Sequence, residues 1–336
     1  MSITSIVDSV SHRYQVLDGW RGFSILCVLA AHLLPLGPKS WQLNSMVGPL
    51  GMSLFFVLSG FLITNFLIKK PTVTDFLVRR FFRILPLVWL YLLIVLPILD
   101  VETDAYLPHF LFYVNTPPIE FLVKHGTGHL WSLCIEVQFY IGVAVLYALM
   151  KERGLLLLPV ICIAITCYRI ANGVHISIVT PFRIDEILTG CILALAYSNK
   201  LGKSIPELLR YLNPYWLLAL LLVACHPDGG FMNYLRPYLA ALLIGVTLYQ
   251  KDLKINHYLS IKALIYIAGI SYALYVIHPI LLQTWLASGD DKIITYLKRP
   301  LLFIVLFLAA HVSTFYYEKY WISLGKTISG KLNSKK

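Results

Sequence analysis

The chain has 336 residues, 58% of them hydrophobic, only 13% charged, with a mean hydropathy of +0.73. Soluble chains carry about 25% charged residues, so a water-soluble globular protein is excluded. The formal net charge of +11 raises nucleic acid as a partner, but the basic residues lie scattered between apolar runs rather than gathered in one patch.

The apolar runs predict an all-α, polytopic membrane protein of about ten transmembrane helices. The spans fall near 20–37, 48–68, 82–99, 129–149, 154–170, 181–197, 211–225, 233–249, 263–286 and 300–317. Residues 1–16 are polar and Leu17 opens a full-length span, so no signal peptide is read. With the N-terminus inside, 20 of the 28 basic residues face the cytoplasm. That bias places both termini in the cytoplasm and accounts for the net charge as a topology signal. No nucleic-acid partner is then required; the lipid bilayer is the first partner. The connections are short except for 100–128, an outer loop with Pro108, Pro117 and Pro118 and the acids Asp100, Glu102, Asp104 and Glu120. Loops of that length are often functional. Residues 1–322 are read as one transmembrane domain and 323–336 as a basic, mobile cytoplasmic tail. The six cysteines form no CxxC pair, which suggests neither a disulfide framework nor a metal site.

Span one carries the first polar constellation. Its helix is expected to start at the basic cap Asp18-Gly19-Trp20-Arg21-Gly22. Arg21 and His32 are about three turns and 16 Å apart on one helix face. They cannot touch each other, but a long ligand on that face could touch both. His32 is expected near mid-membrane depth, where an ionisable residue suggests function. The alternative is a histidine bonded to a neighbouring helix.

Span three opens with RRFFRILP, Arg79 to Pro86. Arg79, Arg80 and Arg83 fall on one helical face, and their guanidinium forks suit phosphate. Plain positive-inside anchoring is the other reading, although three like charges in five residues favour an anionic partner. Span four opens with GHLWSLCIEVQFY, where His129, Ser132, Glu136 and Tyr140 make a polar stripe. Glu136 lies about 10 Å in from His129; a carboxylate that deep needs a partner, with Arg183 one option, or a job. In PFRIDEILTGCILA the charges Arg183, Asp185 and Glu186 are read as ordinary exposed charges at a span end. In GISYALYVIHP, Ser271, Tyr275 and His278 line one face and suit hydrogen bonding between helices.

Five stretches taken in order resemble the integral-membrane acyltransferase type-three family of bacteria: LDGWRGFSILCVLAAH, FFVLSGFLIT, RRFFRILP, HLWSLCIEVQFY and GISYALYVIHP. The resemblance runs from Leu17 to Pro279, more weakly to the end. It implies a ten-helix enzyme of the bacterial inner membrane. Such an enzyme moves an acyl group, usually acetyl, from cytoplasmic acetyl-CoA to an extracytoplasmic carbohydrate hydroxyl, such as that of lipopolysaccharide O-antigen. Some members carry an extra esterase-like domain; this chain looks like the standalone form. Carried over by matched motif, His32 is the catalytic histidine and Glu136 belongs to the core site. Arg21, Arg79, Arg80 and Arg83 serve the acyl donor. Asp18, Trp131, Ser132, Tyr140, Tyr272 and His278 are expected on the acceptor side or in support.

The chemistry agrees with the residues. Acyl transfer to an alcohol needs a base near neutrality, which histidine supplies; an acyl-histidine intermediate is an open alternative. The thioester brings its own activation, so no metal and no resident cofactor are expected. A transporter or flippase of a glycan or lipid intermediate would also explain the spans and the buried His and Glu. It would usually show repeats or broken paired helices, and it leaves the arginine cluster without a role. A structural assembly subunit would not require ionisable groups in mid-membrane.

Overall fold

A computed structural model of the chain describes residues 3–70, 72–117, 122, 126–289 and 292–333, and among them there is no strand. In chain order the principal helices are α1 (Ile3–Leu33), α2 (Leu43–Lys69), α3 (Val73–Ile98), α4 (Trp131–Met150), α5 (Leu158–Ala171), α6 (Asp185–Tyr197), α7 (Pro214–Cys225), α8 (Met232–Tyr249), α9 (Lys262–Leu281), α10 (Arg299–Val312) and α11 (Lys319–Asn333). A π-helical turn, Ser313–Glu318, joins α10 to α11. Among the described residues, seven helical stretches are long and apolar enough to cross a membrane: Gln15–Leu33, Leu43–Lys69, Val73–Ile98, Gly128–Met150, Glu152–Ala171, Lys262–Leu281 and Ile293–Leu332. The spans expected at 181–197, 211–225 and 233–249 fall on α6, α7 and α8. α6 has 13 residues and α7 has 12. At 1.5 Å per residue each is about 20 Å long, short of a 30 Å hydrocarbon core. Within the long loop between α3 and α4, Tyr106–Phe110 is a helical turn whose buried His109 holds the Ala105 carbonyl. Burial pushes the His109 imidazole below its usual range. Pro118 and Glu120 of that loop lie outside the described residues.

The chain packs as two compact units. The first comprises residues 1–65, 156–176 and 184–271. Its core gathers Trp20, Leu54, Phe61, Leu221, Leu243 and their neighbours, all buried. Glycines set its closest helix approaches. A Cβ on Gly60 would stand 1.9 Å from the Ile187 carbonyl oxygen, and one on Gly190 would stand 2.0 Å from that of Val57. The two glycines are a reciprocal crossing of α2 and α6, the small-residue contact that membrane helices use to bring backbones together.

The expectation that α1 begins at Asp18 is corrected. Helix runs through that point from Ile3, and the glycines there serve packing, not capping. A Cβ on Gly19 would meet the Leu259 carbonyl at 2.0 Å, and one on Gly22 the Leu264 carbonyl at 2.3 Å. The other end also differs: α1 stops at Leu33, short of 37. Pro35 follows, and a residue preceding proline is driven out of the α region.

Buried ions in the first unit overturn the reading of Asp185 and Glu186 as exposed. Both are fully buried at the start of α6. Asp185 is paired with the buried Arg169 of α5. Glu186 Oε1 accepts from Arg236 Nε of α8 at 2.8 Å and from Ser53 Oγ of α2 at 2.9 Å. Each acid thus ties α6 to a neighbour through a charge-assisted bond, which is how carboxylates persist in an apolar interior. Arg183 is buried as well.

The second unit comprises residues 66–155, 177–183 and 272–336. Its spine is α3 against α11. Pro86 interrupts the hydrogen bonding of α3, and two tyrosines support the carbonyls around it. Tyr272 OH donates to Ile84 O at 2.5 Å and Tyr317 OH to Pro86 O at 3.1 Å. The stretch read as a mobile tail is helical to Asn333 and packed. A Cβ on Gly325 would stand 2.6 Å from the Phe82 Cβ, and Ser329 is fully buried. The tail looks polar only when read without its partner: α11 is amphipathic, and its buried face rests on α3.

Candidate active site

In the second unit, three arginines of α3 come together at one cavity, of about 190 Å³. Arg79, Arg80 and Arg83 line it with Phe66, Phe76 and, from α11, Lys326. Their spacing is the reason. Positions three and four apart share a helix face, and the cavity lies against that face. Asp75, buried one turn before Arg79, accepts from Arg79 Nε and from Ser329 Oγ, both on its Oδ1. This shared acceptor oxygen holds the Arg79 side chain in place. The pair is legible in the sequence as Asp and Arg at i,i+4.

Behind the arginines lies the carboxylate of α4. Tyr140 donates its hydroxyl hydrogen to Glu136 Oε1. The Arg80 guanidinium carbon stands 5.8 Å from the centroid of the same Tyr140 ring, and Phe76 packs edge-on to it at 5.7 Å. Glu136 is 6% exposed. Tyr272 is bonded to the Ile84 carbonyl of α3, and the same unit holds a further acid, Glu318. Glu318 belongs to the π-turn, is buried, and accepts from Ser313 and Thr314 hydroxyls at 3.1 Å each. Sequence reading missed it. π-Turns often sit at functional sites, but an extra residue in a helix leaves no mark on a hydropathy pattern.

The rest of the α4 stripe forms a second polar cluster. His129, Ser132, Tyr275 and His278 are all buried. Ser132 Oγ and Tyr275 OH are 2.5 Å apart, and Tyr275 OH donates to the His129 carbonyl at 2.5 Å. The His129 and His278 rings meet edge-on at 5.6 Å. His278 Nδ1 lies 2.8 Å from the Tyr275 carbonyl. A carbonyl only accepts, so Nδ1 carries a proton. Trp131 stacks under Arg183, whose guanidinium carbon is 5.3 Å from its ring.

In the first unit, Arg21 Nη1 pairs with Asp18 Oδ1 at 3.1 Å, one turn back on α1. His32 lies in the last turn of α1 and is exposed. His32 is one residue from the end of the 19-residue apolar stretch Gln15–Leu33. Asn44 secures that end. Its Nδ2 donates to the carbonyls of Ala31 and Leu34 at 2.7 Å each, carbonyls that a helix terminus leaves without partners.

A family profile described as an acyltransferase domain matches residues 14–318, nearly the whole chain. The chain belongs to this acyltransferase family. Among known relatives, O-acetyltransferase OatA of Staphylococcus aureus (strain NCTC 8325) is 26% identical over 339 residues, covering 85% of this chain and 54% of OatA. YrhL of Bacillus subtilis (strain 168), described as a candidate peptidoglycan O-acetyltransferase, is 28% identical over 365 residues, covering 92% of this chain and 55% of YrhL. The chain thus spans about half the length of the curated relatives it matches. No solved structure matches it. Membership makes this family member a multi-pass membrane protein of acyltransferase type, as its apolar helices also require.

Proposed function

We propose that this acyltransferase-family protein moves an acetyl group from cytoplasmic acetyl-CoA to a hydroxyl of an extracytoplasmic carbohydrate. The observation that carries this reading is the cavity lined by Arg79, Arg80 and Arg83, with the Glu136–Tyr140 pair behind it. Clustered guanidinium groups bind phosphate bidentately, and the CoA head carries a pyrophosphate and a 3′-phosphate. The relatives' names support O-acetylation and widen the acceptor from lipopolysaccharide O-antigen to peptidoglycan.

In this reading His32 is the base. It takes the proton as the acceptor oxygen attacks the thioester carbonyl; the C–O bond forms, the C–S bond breaks, and CoA leaves as the thiolate. Transfer by way of an acyl-histidine requires the same residue. With the N-terminus on the inner face of the bacterial cytoplasmic membrane, the C-terminal end of α1 lies outside. His32, in its last turn, then meets the acceptor on the acceptor's own side. Arg21 serves the donor with Asp18 holding it. Glu136 and Tyr140 work at the core, and Trp131, Ser132, Tyr272 and His278 shape the acceptor side.

The test is transfer of radiolabelled acetyl from acetyl-CoA to isolated cell-surface glycan by the purified protein in proteoliposomes. Label appearing in ester linkage on the glycan is expected. Transport of a glycan across the vesicle membrane without acetylation would overturn the reading.

A further inference from the structure

One wall of the arginine cavity is supplied by the C-terminal helix. Ile322, Gly325, Lys326 and Ser329 of α11 recur at i, i+3, i+4 and i+7, a single helix face. Ile322 and Lys326 line the cavity. Gly325 lets the helix close on Phe82, where any side chain would collide. Ser329 reaches Asp75, on the same carboxylate oxygen that holds Arg79. The face that docks α11 is thus the face that aims Lys326, and the docking bond shares an atom with the bond that aims Arg79.

Among the described residues the cavity is lined by four basic side chains and no acidic one, with Asp75 paired to Arg79 alone of the four. Like charges brought this close repel, so the arrangement calls for a polyanion. Phe66 and Phe76, with ring centroids 6.1 Å apart, add an aromatic edge beside the cations. The volume of about 190 Å³ holds several ordered waters, or the phosphate groups that would displace them.

We propose that Lys326 is the fourth cation of a polyphosphate site, and that the Ser329–Asp75 contact positions Lys326 and Arg79 together. The C-terminal helix is then part of the acyl-donor site and recognises the phosphorylated nucleotide head of an acyl-CoA. This inference rests on the donor reading above. A phospholipid headgroup offers the same phosphate chemistry, so the lipid must be a variable of the test.

The full-length protein in nanodiscs of phosphatidylcholine alone is titrated calorimetrically with CoA, dephospho-CoA and adenosine 3′,5′-bisphosphate. Lys326→Gln is expected to weaken CoA binding about tenfold, the loss of one charge-assisted contact, and to raise donor KM with little change in kcat. Ser329→Ala is expected to raise donor KM in the same way with its melting temperature held. Lys331→Gln, an exposed lysine off this face, is expected to bind CoA as wild type does. CoA binding unchanged in Lys326→Gln but weakened in Arg79→Ala would overturn the inference and leave the donor reading standing. Wild-type protein that binds no CoA in these discs would overturn both. An effect of Lys326→Gln confined to discs containing phosphatidylglycerol, with CoA binding intact, would assign the site to lipid headgroups and overturn the inference.

Discussion

Tyr140 gives its hydroxyl hydrogen to Glu136, one turn back on α4, while the Arg80 guanidinium stands 5.8 Å from the centroid of its ring. One side chain therefore packs against two residues of the cationic cavity, Arg80 and Phe76, and bonds the buried carboxylate. Glu136→Gln keeps the size of the side chain and removes its charge. Activity is expected to fall at least a hundredfold, with normal insertion judged by detergent extraction and gel filtration. Tyr140→Phe removes one hydrogen bond to a carboxylate, worth about 1.5–3 kcal/mol, so a loss of roughly ten- to a hundredfold in kcat/KM is expected. Activity of Glu136→Gln within a few-fold of wild type would restrict the carboxylate to a structural role.

His32→Gln preserves hydrogen bonding but cannot accept a proton at neutral pH. General base catalysis contributes about 10²–10⁴-fold, so acetyl transfer is expected to fall by that range or more. Ester-linked acetate on surface glycan, measured in cells lacking the native gene, reports it. Wild-type acetylation by this variant at equal protein level would leave His32 as a packing residue.

The arginines are separable from the base by their kinetics. Arg79→Ala and Arg83→Ala each remove a charge-assisted contact, and donor KM is expected to rise about tenfold or more for each. Acceptor KM is expected to hold. Steady-state kinetics with either substrate varied give the answer, and unchanged donor dependence would return these residues to topology anchoring.

The crossing of α2 and α6 gives a stability test. A methyl group at Gly60 would lie 1.9 Å from the Ile187 carbonyl oxygen, so Gly60→Ala must push backbones apart. Overpacking of this kind costs about 1–3 kcal/mol or more, and a lower melting temperature in detergent is expected. Gly142 on α4 has nothing within 4 Å of where its Cβ would be, so Gly142→Ala is expected to melt no lower than wild type.

Topology is read by cysteine labelling. Of the exposed positions, Asp104 lies in the long loop between α3 and α4, and Lys331 lies near the end of α11. A membrane-impermeant maleimide is expected to label Asp104→Cys in intact spheroplasts and Lys331→Cys only after permeabilisation. Labelling of Lys331→Cys from outside would overturn the ten-span arrangement.

The sequence by itself determined the class of the protein and the chemistry worth looking for. Hydropathy sets the membrane helices because each one must satisfy its backbone internally, whatever its neighbours are. Spacing alone put Arg79, Arg80 and Arg83 on one face, and Glu136 and Tyr140 on another, because helical periodicity is local. The tertiary structure decided what depends on a partner. Asp185 and Glu186 looked like exposed charges until Arg169, Arg236 and Ser53 arrived from other helices. The final helix looked like a loose basic tail because its buried stripe has meaning only against α3. The first span was read to 37, and Pro35 with the Asn44 side chain ends α1 at Leu33. In each case a local pattern sets what a residue is able to do, and the desolvation that makes it do so comes from residues far away in the chain.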